Sequence, residues 1–275
     1  MQKKYLLFFV LFIFIIGIAL YVFSFFETTQ SNFEKIQDVA EQGDKVAQYK
    51  LGNMYFYGTE VKQDIKEAFN WYYKSAEQGY ADAQFYLGNM YVKGLGVKKD
   101  YQKAFEWYSK SAEQGIPYAC CNLGLMYYKG YGVEKNYEKA KELFLVAAEN
   151  DISEALFNLG VMYRKGQAVP KDIQKAFEYF EKAAKKGYPE AQYNIGMMYY
   201  KGYGVKQNYP KAIEWLVKAS ERGSYKAQYN MGNIYRSGIG IRQDYRLAKA
   251  WYNKACENGF QRGCDEYSKL LIQGY

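Results

Sequence analysis

The chain has 275 residues, with 37 Lys+Arg against 29 Asp+Glu, a formal charge of +8 and no histidine. The lack of histidine removes the commonest general base and the commonest metal ligand. Lys3 and Lys4 are the only charges before Glu27, so the surplus beyond them is 35 − 29, or +6; spread along the chain, it argues against a nucleic-acid partner.

Residues 1–26 read MQKKYLLFFVLFIFIIGIALYVFSFF, and Tyr5 to Phe26 is 22 residues without a charge. As a helix, this run would extend about 33 Å, enough to cross a bilayer. A secretory signal has a shorter apolar core and a small-x-small end. Ala19-Leu20-Tyr21 and Phe23-Ser24-Phe25 do not fit that pattern. The run is therefore predicted to be an uncleaved signal anchor; the alternative is a cleaved signal that releases a secreted protein. Lys3 and Lys4 precede it and the acidic Glu27 follows. The positive-inside rule then places the rest of the chain on the extracytoplasmic, periplasmic side, held to the membrane by this helix. Residues 27–46 are predicted to form a polar linker and a capping helix, Phe33 to Gln42.

From residue 47 to 262 a 36-residue unit is written six times without insertion, starting at Ala47, Ala83, Ala119, Ala155, Ala191 and Ala227. Residues 263–275 supply a half-unit that caps the other end. A fixed period in this range predicts a solenoid, in which each unit touches its neighbours and the ends need caps. Apolar residues three and four apart, as in Leu87, Met90 and Tyr91, make the first half of each unit a helix. The loop GLGVKKD follows, with Gly94 and Gly96 free to take positive φ. Its valine recurs (Val61, Val97, Val133, Val169, Val205, and Ile241 last) and is predicted to plug the loop onto the core. Asp64, Asp100, Asn136, Asp172, Asn208 and Asp244 stand where a second helix needs its N-cap. Gly115 and its equivalents end that helix, and in one unit Asn150-Asp151 replaces Gln-Gly, with Asn able to take the left-handed conformation. The tyrosine row Tyr55, Tyr91, Tyr127, Tyr163, Tyr199 and Tyr235 reads as core.

A glycine recurs in mid-helix, at Gly52, Gly88, Gly124, Gly160, Gly196 and Gly232. Each costs about 1 kcal/mol against alanine. Close approach of the partner helix is the expected reason, with the alanine row Ala68, Ala104, Ala140, Ala176, Ala212 and Ala248 as its small counterpart.

The pattern LGxMYxxGxGVxxDxxKAxxWYxKSAEQG resembles the Sel1-like repeat, a relative of the tetratricopeptide repeat. The resemblance covers roughly residues 33–275. It implies an all-α fold, a right-handed α/α solenoid, behind the N-terminal transmembrane helix. It also implies a protein or peptide partner, bound where first helices line a concave groove.

Cys256 ends a second helix and Cys264 begins the next first helix, where adjacent helix ends meet. A disulfide between them is geometrically reasonable. The spacing resembles the Helicobacter cysteine-rich branch of Sel1-like proteins, which carries one such bridge per repeat. Cys120 matches Cys264 in register, but its partner position holds Ala112. Cys120 and Cys121 are read as reduced and structural, with a bond between the two as the alternative.

Some relatives in that branch are described as penicillin-binding or weakly β-lactamase-active, which implies a secreted, cell-wall-directed alternative function. No serine here is followed by lysine three positions on, and K-T-G is absent. The expectation is a non-enzyme without cofactor or metal. Positions 4, 7 and 11 of the unit fall on one helix stripe. Asn122, Asn158, Asn194 and Asn230 occupy position 4; Lys93, Lys129, Lys165 and Lys201 occupy position 11. Asparagines can hydrogen-bond an extended peptide and lysines can hold carboxylates, so these eight are the candidate partner-binding residues. A solvated polar face with no ligand is the other reading of the same stripe.

Overall fold

The computed structural model describes residues 15–23 and 32–275. Among them every regular element is a helix, in the manner of an α/α solenoid. Helix α1 covers 32–41. First-type helices follow as α2 (Lys45–Tyr57), α4 (Ala81–Lys93), α6 (Pro117–Lys129), α8 (Ser153–Lys165), α10 (Pro189–Lys201), α12 (Tyr225–Ser237) and α14 (Gln261–Ile272). Second-type helices alternate with them: α3 (Ile65–Glu77), α5 (Tyr101–Glu113), α7 (Tyr137–Glu149), α9 (Ile173–Lys185), α11 (Tyr209–Glu221) and α13 (Tyr245–Glu257).

The expected membrane span is corrected. The described part of the apolar run, residues 15–23, is helical. Among the described residues no helix is long and apolar enough to cross a membrane. Residues 5–14 and 24–26 of the run, and most of the linker, lie outside the described residues. The anchored, single-pass topology falls with the span it depended on.

The chain divides into two compact units. In the first, the described residues up to Ala119 together with Tyr131–Val133, α2 packs on α3, α3 on α4 and α4 on α5. Helix α1 lays Ala40, Phe33 and Ile36 against Leu51, Met54 and Trp71. In the second, Cys120–Gly130 with Glu134–Tyr275, each helix from α7 to α14 packs on the next.

Local chemistry explains each hairpin. Asp64, Asp100, Asn136, Asp172, Asn208 and Asp244 all cap second helices by accepting backbone N–H bonds of 2.8–3.1 Å. First helices before α14 end on left-handed glycines such as Gly94, at φ 69°. The loop residue Gly132 cannot be replaced: a Cβ there would lie 2.3 Å from the Tyr101 carbonyl oxygen. At the drifted stop it is Asp151, at φ 63°, that turns left-handed, one residue later than Asn150. Every loop valine, and Ile241, is half-buried.

The mid-helix glycines do mark close approach, but the group that meets them is a large side chain. A Cβ on Gly52, Gly88, Gly124, Gly160, Gly196 or Gly232 would lie within 2.4–2.9 Å of Tyr72, Tyr108, Phe144, Phe180, Leu216 or Tyr252. Three of these partners are tyrosines, and their hydroxyls need acceptors in the core. Tyr72, Tyr108 and Tyr252 donate to Asn53, Asn89 and Asn233 at 2.7–2.8 Å. Where the partner is Phe144, Phe180 or Leu216, the asparagine is replaced by Leu125, Val161 or Met197. The polar pair is kept whole or lost whole. Removing one member strands a buried polar group at about 1–3 kcal/mol, while an apolar pair of similar shape is nearly neutral. Tyr72→Phe and Asn53→Leu will therefore each lower stability by about 1–2 kcal/mol, and the double variant will recover most of the loss. Denaturant titration of the four proteins checks this; simple addition of the two losses would refute the coupling.

Candidate functional site

The pairing just described moves position 7 out of the proposed stripe. Asn53, Asn89 and Asn233 are half-buried acceptors inside the hairpins. Positions 4 and 11 remain on the outer face of the first helices. Lys93, in the first unit, is exposed, as are Lys129, Lys165 and Lys201 in the second. Lys165 Nζ donates to the Tyr128 hydroxyl at 3.2 Å.

Asn122, Asn158, Asn194 and Asn230 are half-buried. Two of them use their amides locally. Asn194 Nδ2 donates to the Glu190 carbonyl at 2.6 Å, and Asn230 Nδ2 to the Lys226 carbonyl at 2.8 Å. The Asn194 Oδ1 accepts from Arg164 Nη1 at 2.7 Å. The ladder is thus partly built into its own helix surface, and the lysines are the freer half of the stripe.

Cys256 and Cys264 are joined in a disulfide, with Cα atoms 4.6 Å apart. Cys120 and Cys121 are free and buried. Burial, aided by the Glu154 carboxylate and Cys120, pushes the Cys121 thiol up to about 12. At neutral pH it is protonated and chemically inert.

Sequence reasoning missed a cleft of about 400 Å³ in the second unit. Phe157 and Arg164 from α8, Tyr193 and Asn194 from α10, Arg222 at the end of α11 and Lys226 on α12 line it. Asn194 is the one candidate partner-binding residue among its lining residues. The Arg164 guanidinium lies 5.5 Å over the Phe180 ring, which fixes one wall of the cleft to the core. Its position in the unit is held by Phe56, Val92, Tyr128 and Tyr200 and again by an arginine at Arg236, so the charge was visible as one of two breaks in an otherwise apolar row. A concave site of this size with a few polar groups on aromatic walls suits a small ligand or a side-chain cluster of a larger one.

Six segments of the chain, residues 45–80, 81–116, 117–152, 153–188, 189–224 and 226–260, match the Sel1 repeat. Comparison with curated proteins gives no match. Among solved structures, c5321 from Escherichia coli, a protective antigen present in uropathogenic strains that displays an SLR fold, is similar at 34% identity and a TM-score of 0.77. The match covers 88% of this chain and 52% of c5321, so the chain spans about half the length of that relative. A Sel1 repeat protein from Oxalobacter formigenes is similar at 34% identity and a TM-score of 0.74, over 78% of this chain and 86% of its own. Helicobacter pylori cysteine rich protein B shares 30% identity over 48% of this chain and 94% of its own, with a TM-score of 0.39. With six matched segments folded as alternating helix hairpins, the chain belongs to the Sel1 repeat family.

Proposed function

We propose that this chain is an interaction scaffold that binds a protein or peptide partner on the outer face of its first helices. Sel1 repeats generally serve protein–protein interaction, and the reading is one of binding rather than catalysis. The observation that carries it is the lysine row. Lys129, Lys165 and Lys201 recur at the same point of successive first helices in the second unit and are all exposed, and Lys93 holds that point in the first. Regular cations on one face match carboxylates of a partner chain.

Hydrogen exchange of the full chain, with and without a peptide selected from a random dodecapeptide phage library, tests this. Protection on α6, α8, α10 and α12 is expected. Lys129→Glu/Lys165→Glu/Lys201→Glu should weaken the same peptide at least tenfold. Protection confined to the second helices, or unchanged affinity in the triple variant, would sink the proposal.

A further inference from the structure

The cleft between α8, α10 and α12 contains a side chain that has left its structural post. In four units a buried glutamine sits at the second position of the unit: Gln48, Gln84, Gln192 and Gln228. Each donates Nε2 to the carbonyl eight residues back, at 3.1–3.2 Å. Three of them also receive a bond on Oε1 from the residue 30 positions later: Gln78 and Gln114 at 2.8 Å and Asn258 at 2.9 Å. The fourth does not. Gln192 is 96% buried, being 4% exposed, and its Oε1 has no hydrogen-bond partner. The residue 30 positions after it is Arg222. Arginine carries five donors and could serve that oxygen. Its guanidinium instead packs over Gly187, 2.9 Å from where a Cβ would stand, and lines the cleft.

Charge points the same way. Arg164, Arg222 and Lys226 all line the cleft, and none is ion-paired with a carboxylate among the described residues. Glu190 is the carboxylate on its wall, so the lining carries a net positive charge. Phe157, Tyr193 and Tyr225 supply apolar surface beside the cations.

The geometry points to a subsite for an acidic peptide segment. Its side-chain carboxylates sit on Arg222, Lys226 and Arg164, and an adjoining apolar side chain lies on Tyr193 and Phe157. Arginine pairs a carboxylate through two parallel N–H bonds, which a neutral amide at position 222 cannot reproduce. This rests on the interaction-scaffold reading and names the partner chemistry at one place on it.

Arg222→Gln separates the two ideas. Register predicts that a glutamine at 222 will donate to Gln192 as Gln78 does to Gln48, so the variant should melt about 2–4 °C higher. It should also bind acidic peptides about tenfold more weakly. The full-length chain and this variant are each panned against a random dodecapeptide phage library, and an enriched peptide is measured by fluorescence anisotropy. Enrichment of Asp and Glu on the natural chain, lost on Arg222→Gln, is the expected result. Peptides without acidic enrichment, or acidic peptides that bind both proteins equally, overturn the subsite and leave the scaffold standing. If no peptide is selected at all, both fall.

Discussion

Gly160→Leu will open the hairpin of α8 and α9 and melt that unit first. The cause is space. An ideal Cβ on Gly160 already lies 2.7 Å from two ring carbons of Phe180 and 3.2 Å from the Ala176 carbonyl oxygen. Phe180 is fully buried and packs in a cluster with Ala176, Ala191 and Ile195, so the ring has no free volume to retreat into. Overpacking of a core costs about 1–3 kcal/mol, and a leucine against a fixed ring belongs at the top of that range or above it. Helix propensity works in the opposite direction. Replacing a mid-helix glycine by alanine gains about 1 kcal/mol where space allows. Gly160→Ala is therefore a sensitive control, because a loss of stability there means that contact outweighs propensity. The double variant Gly160→Leu/Phe180→Ala should recover part of the loss, since truncating the ring vacates the volume that leucine needs. Hydrogen exchange is the measurement of choice, because repeat arrays can open unit by unit. Wild-type protection across α8 and α9 in Gly160→Leu would show that the glycine row has another cause.

That contact marks the limit of what the sequence conveys. The 36-residue period was enough for the hairpins, and the Asp and Asn caps stand where their spacing placed them. The glycine row correctly signalled close approach. It could not say which row of the facing helix arrives there, because that depends on how the two helices cross. The alanine row is fully buried, yet the nearest side chain is the tyrosine, phenylalanine or leucine four residues further on. Position 7 fails for a related reason. At about 100° per residue it lies roughly 60° around the helix from position 4, whereas position 11 lies only about 20° away. Positions 4 and 11 face out together, and position 7 turns towards the partner helix. The cleft was harder to read. Its cations come from α8, the end of α11 and the start of α12, and its signals were scattered: Arg164 in a mostly apolar row, and Arg222 in a row that reads Gln or Asn in four units and Lys186 in another. The membrane span was read from an uncharged run, which fixes only the length that a helix could have, and among the described residues no helix is long and apolar enough to cross a membrane.

Cys264→Ser will loosen α14 and the end of α13 while the hairpins from α8 to α11 keep their protection. The disulfide joins residues eight apart, and closing so short a loop restricts the unfolded chain by roughly 2–3 kcal/mol in the chain-entropy account. The terminal helix has little else of that size to hold it. Gly263 and Leu270 are its buried residues, and Leu271 and Ile272 are 53% and 86% exposed. Its ion pairs, Arg236 with Glu266 and Lys269 with Glu266, share a carboxylate that is only 15% exposed, and only the first of them ties α14 to another helix. Leu270 packs on Ala248 and Tyr252, so a loosened α14 uncovers the α13 core beneath it. The damage should stop there, because each hairpin leans only on its neighbours. Limited proteolysis with mass spectrometry would find early cuts within 245–272 in the variant, and the same cuts in the natural chain after reduction. Reduction supplies the internal control, since it breaks the bond without changing a residue. Equal protease resistance in the oxidised, reduced and Cys264→Ser proteins would mean that packing alone holds α14 and that the bridge adds nothing to its stability.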